Sequence, residues 1–358
     1  MTRVRYAVAA PAGDIIPGEA ELGLVLEGNP DGVTYGAYFA ALETFLRGEA
    51  APALAELAEA TLGPGLPAPA EMRIRAEKHG ALYHPASVEL AFPDGRTFRG
   101  GVLAASTALA RSVLANEATW LNRLRERLGE PLLPRVLAAT AAEGGGPLAL
   151  ALVEWFAGFC EFHVDASGVV QLWDFGRGLV ALDREQVREL YHRAGYILGR
   201  CYDPGSGGRV FPWHHAAGDF VARLENGEID VRLTTVRDYG PASEEGASPL
   251  ASLAGFVLET TLRLRLDRVD GVGAAAWLPL ECLHGGVDGV LAGVAAQSPQ
   301  AAALAAETRA VLATFPPEDL AAALTGAAGD CGPFYAALLA AKLPGHAREL
   351  LAALSQGA

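Results

Sequence analysis

Lysine and cysteine are both scarce in this chain of 358 residues. Lys78 and Lys342 are the two lysines, and every other cationic side chain is arginine, so a mechanism that needs a lysine has only two candidates. The four cysteines lie far apart, without the paired spacing of a zinc site or a disulfide framework. We therefore expect free and mostly buried thiols at Cys160, Cys201, Cys282 and Cys331.

Positive charge and long apolar runs are also lacking. Asp and Glu number 42 against 28 Lys and Arg, a formal net charge of -14, which argues against a nucleic-acid surface. No run of about 18 uncharged apolar residues occurs, which argues against a membrane-spanning helix. The apolar stretch before Pro11 is too short for a signal peptide. With 51% apolar residues, the chain is expected to be globular and cytoplasmic.

Glycine and proline divide the chain into segments. The clearest linker is 63–69, and it follows a predicted strand at 3–9 and predicted helices at 35–46 and 51–62. After the linker, the period of the apolar residues predicts three strands, one helix and two strands. These lie within 72–92, 96–106, 107–128, 136–139 and 148–155.

The second half of the chain begins with a predicted hairpin at 162–173 and an amphipathic helix at 183–201, for which Asp183 is a plausible cap. From about residue 248 onward the pattern is helical and rich in alanine. Predicted breaks in this helical region fall at 271–273, 298–299, 315–317 and 331–333.

The densest group of polar side chains is the segment 211–221, FPWHHAAGDFV, which precedes a predicted hairpin. Asn226-Gly227 between two alternating apolar runs is a strong hairpin signal. The hairpin leads to 237–240, RDYG, so two polar clusters lie at its two ends. Histidine is the side chain most easily tuned for proton transfer near neutral pH, which makes His214 and His215 candidate active-site groups.

The order of elements over 71–240 resembles the protein-kinase and aminoglycoside-phosphotransferase fold, and this resemblance covers roughly half of the chain. It implies an α+β protein with a kinase-like bilobal body, namely a small antiparallel β-lobe and a helical lobe, with helical additions at both ends. The implied regions are an amino-terminal extension at 1–70, a β-rich lobe at 71–156, and a mainly helical lobe at 157–358 with a catalytic-type hairpin at 211–241.

The resemblance also implies roles for particular residues. Glu117 stands at the position of the family's ion-pair glutamate, Glu154 lies in a hinge-like segment, and Lys78 is the one nearby lysine able to reach phosphate. Asp238 is similar to the metal-binding aspartate of the Asp-Phe-Gly motif. ATP and Mg²⁺ would then be the cofactors, and a small-molecule ligand would occupy a cleft between the lobes. The residues implied to carry catalysis are His214, His215 and Asp219.

Several family motifs are altered. The third strand has no lysine, the first hairpin has only Gly80 in place of a glycine-rich loop, and no asparagine lies five residues after Asp219. Asp219 matches either the catalytic aspartate or the metal-binding asparagine, with His214 in the aspartate's place. A second register puts the metal-binding hairpin at 162–176, which contains Asp174-Phe175-Gly176.

The sequence leaves several functions open. The leading hypothesis is an atypical phosphotransferase acting on a small molecule, or a nucleotide-binding pseudokinase, and a non-catalytic regulatory module is the main alternative. The segment 214–219 also resembles the His-His-x-x-x-Asp-Gly motif of CoA-dependent acyltransferases, and metal-dependent hydrolysis is a further alternative. Each site residue also has a structural interpretation, such as Asp238 pairing with an arginine. The sequence also leaves open whether this protein binds a protein partner. The four histidines that lack ligand spacing are predicted to be non-functional: His163, His192, His284 and His346.

Overall fold

The computed structural model describes residues 2–10, 13–29, 31–77, 80, 82–140, 146, 148–174, 176–241 and 247–356. The chain forms two compact units. The first contains Met1–Arg125 and Pro134–Ala157, and the second contains Glu126–Leu133 and Gly158–Ala358. The protein is therefore α+β, as the sequence predicts, and each unit is described separately below.

The first unit is built on a six-stranded sheet in the order β1-β2-β3-β4-β6-β5. β1 runs parallel to β2, whereas every other neighbouring pair is antiparallel. The strands within 71–156 pair only in antiparallel fashion with one another, as expected for that region, and the parallel pairing of β1 from the segment 1–70 makes the sheet mixed. A connection that includes two long helices separates β1 from β2, and such crossovers join parallel strands. The strands are β1 (Arg3–Val8), β2 (Glu71–Ala76), β3 (Ala86–Ala91), β4 (Thr97–Ala105), β5 (Val136–Ala139) and β6 (Ala149–Val153).

Helices pack on the sheet and complete the core of the first unit. α2 buries Tyr38, Phe39 and Leu42 against apolar residues of the sheet such as Ile74 and Val88. The segment 1–70, which the sequence sets apart as an extension, shares this core with β2, β3 and β4. The helices that begin in this unit are α1 (Glu19–Leu22), α2 (Tyr35–Arg47), α3 (Ala51–Leu62) and α4 (Ala108–Leu128).

In the part of the second unit that the structure describes, the strands form four small antiparallel sheets. β11 and β12 form the hairpin that the sequence predicts, with Asn226 and Gly227 at positive φ in its turn. The other sheets are β7-β8-β9, β10-β13 and β14-β15. Their strands are β7 (Phe162–Val164), β8 (Val170–Asp174), β9 (Gly178–Ala181), β10 (Gly208–Val210), β11 (Phe220–Glu225), β12 (Glu228–Leu233), β13 (Tyr239–Pro241), β14 (Leu266–Arg268) and β15 (Ala275–Trp277).

Helices make up the rest of the second unit. Asp183 caps α5, as predicted: its carboxylate accepts a hydrogen bond from the backbone N–H of Gln186, whose side chain accepts from the backbone N–H of Asp183. Ser248 and Ser298 cap α6 and α8 in a similar way. The helices are α5 (Arg184–Cys201), α6 (Pro249–Arg263), α7 (Leu280–Ala295), α8 (Pro299–Leu312), α9 (Pro317–Gly329) and α10 (Ala336–Gln356).

The contact between α5 and α7 depends on glycine. A Cβ atom at Gly289 would overlap the backbone carbonyl of His192, and one at Gly199 would overlap the carbonyl of Val290. The two backbones therefore approach more closely than any side chain at these positions allows.

The cysteines and helices bear on two further expectations. All four cysteines are free; three are buried and Cys160 is half-buried, in line with the prediction. Within the part of the chain that the structure describes, none of the helices combines the length and apolar character needed to cross a membrane.

Candidate functional site

The His-His loop, residues 211–219, joins β10 to β11 in the second unit. His215 begins a short 3-10 turn that ends at Ala217. Gly218 follows with a φ of 74°, and a Cβ there would lie 2.8 Å from Oε1 of Glu161, so both backbone conformation and space require glycine. Trp213 is buried and meets the ring of Phe220 edge to face. The loop is therefore packed at both of its ends.

Asp219 ends the loop and is held by two partners. Both carboxylate oxygens accept hydrogen bonds from the guanidinium of Arg237, one of them at 2.6 Å. Oδ2 also accepts from the backbone N–H of His214 at 2.7 Å. Asp219 is only 1% exposed, and a bidentate charge-assisted pair of this kind is among the stronger side-chain interactions. Its carboxylate therefore closes the loop onto the far end of the hairpin.

His215 lies in a buried aromatic pocket. Its ring stacks on Phe162 at a centroid distance of 5.8 Å and meets Tyr191 edge to face. Nε2 is 3.4 Å from the hydroxyl of Tyr191 and 3.7 Å from Oδ1 of Asp267. Nδ1 is buried and has no hydrogen-bond partner among the described residues. The imidazole of His215 is thus held at its Nε2 edge, which faces Tyr191 and Asp267, and not at its Nδ1 edge.

Asp267, on β14, is the centre of a buried polar network. Its carboxylate accepts from the backbone N–H of Val164 at 2.9 Å and of Arg268 at 2.7 Å, and Oδ1 lies 3.4 Å from Nδ1 of His163. Burial acts to raise the pKa of Asp267, but the charges of His215 and His163 outweigh it and hold that pKa well below its usual range. Asp267 is therefore an anion inside the fold.

His163 is clamped between two carboxylates. Its Nε2 lies 3.3 Å from Oε2 of Glu161, and its Nδ1 faces Asp267. Burial alone would lower the pKa of His163, but Asp267 and Glu161 outweigh burial and raise it from 6.5 to about 9. A Cβ on Gly271 would lie 2.8 Å from Nε2 of His163, so the chain also closes tightly over the ring. His163 is thus an imidazolium at neutral pH.

His214 has the opposite electrostatic character. Its ring stacks on Tyr335, with centroids 5.2 Å apart. Burial, and after it the charge of His215, lowers the pKa of His214 from 6.5 to about 3. His214 is therefore neutral at physiological pH, although it lies next to a network that carries charge.

Asp238 occupies a different environment from Asp219. It is exposed, its Oδ1 accepts from the backbone N–H of Tyr239 at 2.8 Å, and its backbone carbonyl accepts from the N–H of Phe211. The chain after β12 therefore brings Asp238 next to the start of the His-His loop, while the guanidinium of Arg237 contacts Asp219.

The remaining site residues belong to the first unit. Glu117 on α4 is fully buried and accepts from the hydroxyl of Tyr83 at 2.6 Å. Glu154 accepts from the guanidinium of Arg125 at 2.9 Å and lies 3.8 Å from that of Arg135. Lys78 and the neighbouring His79 lie outside the described residues.

The donor set fits a resident Mg²⁺ poorly. Among the described residues, no three His, Cys, Asp or Glu side chains are grouped so as to hold a metal ion. Asp219 could match the metal-binding asparagine of the kinase pattern. Both of its carboxylate oxygens, however, already accept hydrogen bonds from Arg237. Phosphoryl transfer requires carboxylate or amide oxygens that are open to the metal.

The centre of the network is not evident from the sequence. His163 is predicted there to be non-functional, and neither Asp267 nor Glu161 is among the candidate site residues. Asp267 lies more than 100 residues from His163 along the chain, inside a segment that reads as helical, so no local pattern pointed to it. One local signal existed: Gly271, in a predicted break, marks the turn that packs on His163.

Neither a comparison with models of protein families nor one with curated protein sequences found a match to this chain.

Proposed function

We propose that this protein is a non-catalytic binding module on a kinase-like scaffold, in which the loop corresponding to a catalytic loop has become a structural element. The observation that carries the proposal is the bidentate pair between Asp219 and Arg237. A catalytic or metal-binding carboxylate needs an oxygen that can reach a hydroxyl or a cation. In Asp219 both oxygens are engaged by a guanidinium.

The two histidines of the loop support the same conclusion. His215 is 1% exposed and packed between Phe162 and Tyr191, so a substrate hydroxyl has no open path to it in this arrangement. His214 stacks on Tyr335 and has a pKa lowered to about 3, far from the value near neutrality that suits a general base. The loop's polar atoms thus serve packing within the second unit.

A Mg²⁺-dependent phosphotransferase acting on a small molecule is the second candidate. The observation that favours it is the exposure of Asp238, which the kinase resemblance assigns to metal binding. In that case Asp238→Asn would abolish turnover while leaving the melting temperature unchanged. For a binding module the same substitution has no turnover to remove.

The experiment that tests the proposal is an assay of ATP turnover by the full chain with Mg²⁺, run on the wild type, Asp219→Asn and Asp238→Asn. We expect no turnover above the buffer blank in any of them, and a loss of stability confined to Asp219→Asn. Turnover by the wild type that disappears in Asp238→Asn would overturn the proposal in favour of the phosphotransferase.

A further inference from the structure

A cavity of about 320 Å³ lies in the second unit, apart from the His-His loop, with which it shares no lining residue. Its volume is at the lower end of the range of about 300–1,000 Å³ found for small-molecule sites. Strands β8, β9 and β11 and the turns beside them form its walls. The lining residues that matter below are Cys160, Leu172, Asp174, Val180 and Arg223.

Among the described residues, Arg223 makes two ion pairs, but its side chain donates no hydrogen bond. Its guanidinium lies over the ring of Phe159 at 4.9 Å. Its ion-pair partners, Glu225 at 3.6 Å and Asp230 at 3.7 Å, are beyond hydrogen-bond distance. Nε is buried and has no hydrogen-bond partner among the described residues. A planar guanidinium held in this way is suited to a bidentate contact with a carboxylate.

Asp174 supplies the opposite charge. Its Oδ1 is used by the turn after β8, where it accepts from the backbone N–H groups of Gly176 and Arg177. For Oδ2, the nearest cation in the described part of the chain is Nε of Arg177, at 3.9 Å. Oδ2 is therefore available to accept from a ligand that donates hydrogen bonds.

The rest of the wall is apolar or inert. Leu172 and Val180 pair across β8 and β9 and provide aliphatic surface. Burial raises the pKa of the Cys160 thiol to about 11, so it stays protonated at neutral pH and is no nucleophile. Two arginines, Arg177 and Arg223, balance the carboxylates of Asp174 and Glu225 on the wall, so the cavity presents charges of both signs. The cavity therefore suits a ligand that carries one charge of each sign and an aliphatic part.

We propose that this cavity binds a small zwitterion with an aliphatic side chain, that is, a free amino acid of the leucine class. The ligand's carboxylate binds Arg223, its ammonium binds Oδ2 of Asp174, and its side chain packs on Leu172 and Val180. This inference does not rest on the proposed function, because neither Asp219 nor ATP enters it.

The test is calorimetric titration of the full chain with L-leucine. Two analogues remove one charge each: 4-methylpentanoate lacks the ammonium group, and 3-methylbutylamine lacks the carboxylate. We expect saturable binding of leucine and roughly tenfold or weaker binding of each analogue. Absence of saturable leucine binding at millimolar concentration, or equal affinity for either analogue, would overturn the proposal.

Variants locate the site. Arg223→Gln and Asp174→Asn should each weaken leucine binding roughly tenfold or more, whereas Arg193→Gln, which alters an exposed pair with Glu189 outside the cavity, should not. Unchanged affinity in Arg223→Gln would contradict the assignment.

A second pair of variants leaves the charges in place. Val180→Phe fills the cavity, and Leu179→Phe adds the same bulk one residue earlier on β9, where the side chain is exposed and points to the other face of the strand. We expect leucine binding to be lost only in Val180→Phe, with both melting temperatures near that of the wild type. Binding that survives Val180→Phe would place leucine elsewhere.

Discussion

Arg237 donates hydrogen bonds to both carboxylate oxygens of Asp219, although the two residues lie 18 positions apart on opposite sides of the β11-β12 hairpin. An antiparallel hairpin brings its first and last residues together, and here the backbone N–H of Thr234 also donates to the carbonyl of Asp219 at 2.8 Å. The two polar clusters that the sequence places at the ends of the hairpin are thus one structural unit. This pair is the basis of the assignment of the His-His loop to structure and not to catalysis.

Replacement of Asp219 by Asn should destabilise the protein. The half-buried guanidinium of Arg237 would lose the buried carboxylate that pairs with it, and breaking such a pair costs about 3 kcal/mol in the free energy of unfolding. Urea unfolding measures this cost. The control is Glu189→Gln in an exposed helical pair with Arg193, where we expect a change within about 0.5 kcal/mol. Equal effects of the two variants would contradict a structural role for Asp219.

Asp267 should matter for stability as much as Asp219. Asp267→Asn removes the anion that faces His163 and His215, and the imidazolium of His163 then lies buried beside Glu161 alone. We expect a loss of about 3 kcal/mol in unfolding free energy. Asp270→Asn, three residues later, is the matched control, since Asp270 is exposed and has a φ of 51°, which asparagine tolerates well. A small effect at Asp267 would contradict the description of the network.

The alkaline side of the stability profile should depend on His163. Its pKa is about 9 in the folded protein and 6.5 ordinarily, so the folded state binds this proton more tightly. The resulting stabilisation is complete below pH 6.5 and is lost as pH rises toward 9, by up to about 1.4 kcal/mol per pH unit. Urea unfolding at pH 6.5 and pH 9 should show the loss in the wild type and a smaller one in His163→Gln. A parallel decline in both proteins would argue against the clamped imidazolium.

The stability of the protein at acid pH should depend on His214 and His346. Burial lowers both pKa values to about 3, so each histidine is neutral in the folded protein but gains a proton on unfolding below pH 6.5. Protonation then favours the unfolded state, and stability falls as pH drops from 6.5 toward 3. His346→Leu removes one such group, so the decline between pH 6.5 and pH 4.5 should be shallower. An unchanged slope would show that His346 is already charged in the fold.

The helix pair α5 and α7 allows a sharp packing test. Gly289→Ala places a methyl group on the backbone of His192, so α5 and α7 must separate, and the unfolding free energy should fall by more than about 4 kcal/mol. Gly255→Ala in α6 meets open space and should stabilise the protein by up to about 1 kcal/mol. Thermal unfolding of the two variants should therefore shift in opposite directions.

Most of the regular elements could be predicted from local patterns. The helix at 184–201, its cap at Asp183 and the Asn226-Gly227 hairpin all depend on residues that are near neighbours in sequence, and all three are confirmed. The parallel pairing of β1 with β2 was missed, because it depends on contacts across more than 60 residues. Strands β14 and β15 were not predicted. Each is only three residues long, and both lie in an alanine-rich region whose pattern is helical.

The site was predicted less completely than the fold. His214, His215 and Asp219 stand together in the sequence, so their proximity was evident, but their partners were not. The sequence suggested an arginine as a partner of Asp238, Arg232 or Arg237, but it did not suggest the pair that Arg237 forms with Asp219. Asp267 lies 52 residues beyond His215. Burial and pKa values arise from such distant partners, and composition and spacing do not report them.

The measurement that tests the central claim most directly is calorimetric titration of the wild type with ATP, once with Mg²⁺ and once with a chelator. If the His-His loop is structural and Arg237 occupies both carboxylate oxygens of Asp219, the isotherm with Mg²⁺ and the isotherm with the chelator should coincide. Micromolar binding that requires Mg²⁺ would contradict the account, and its loss in Asp238→Asn would identify a working nucleotide site.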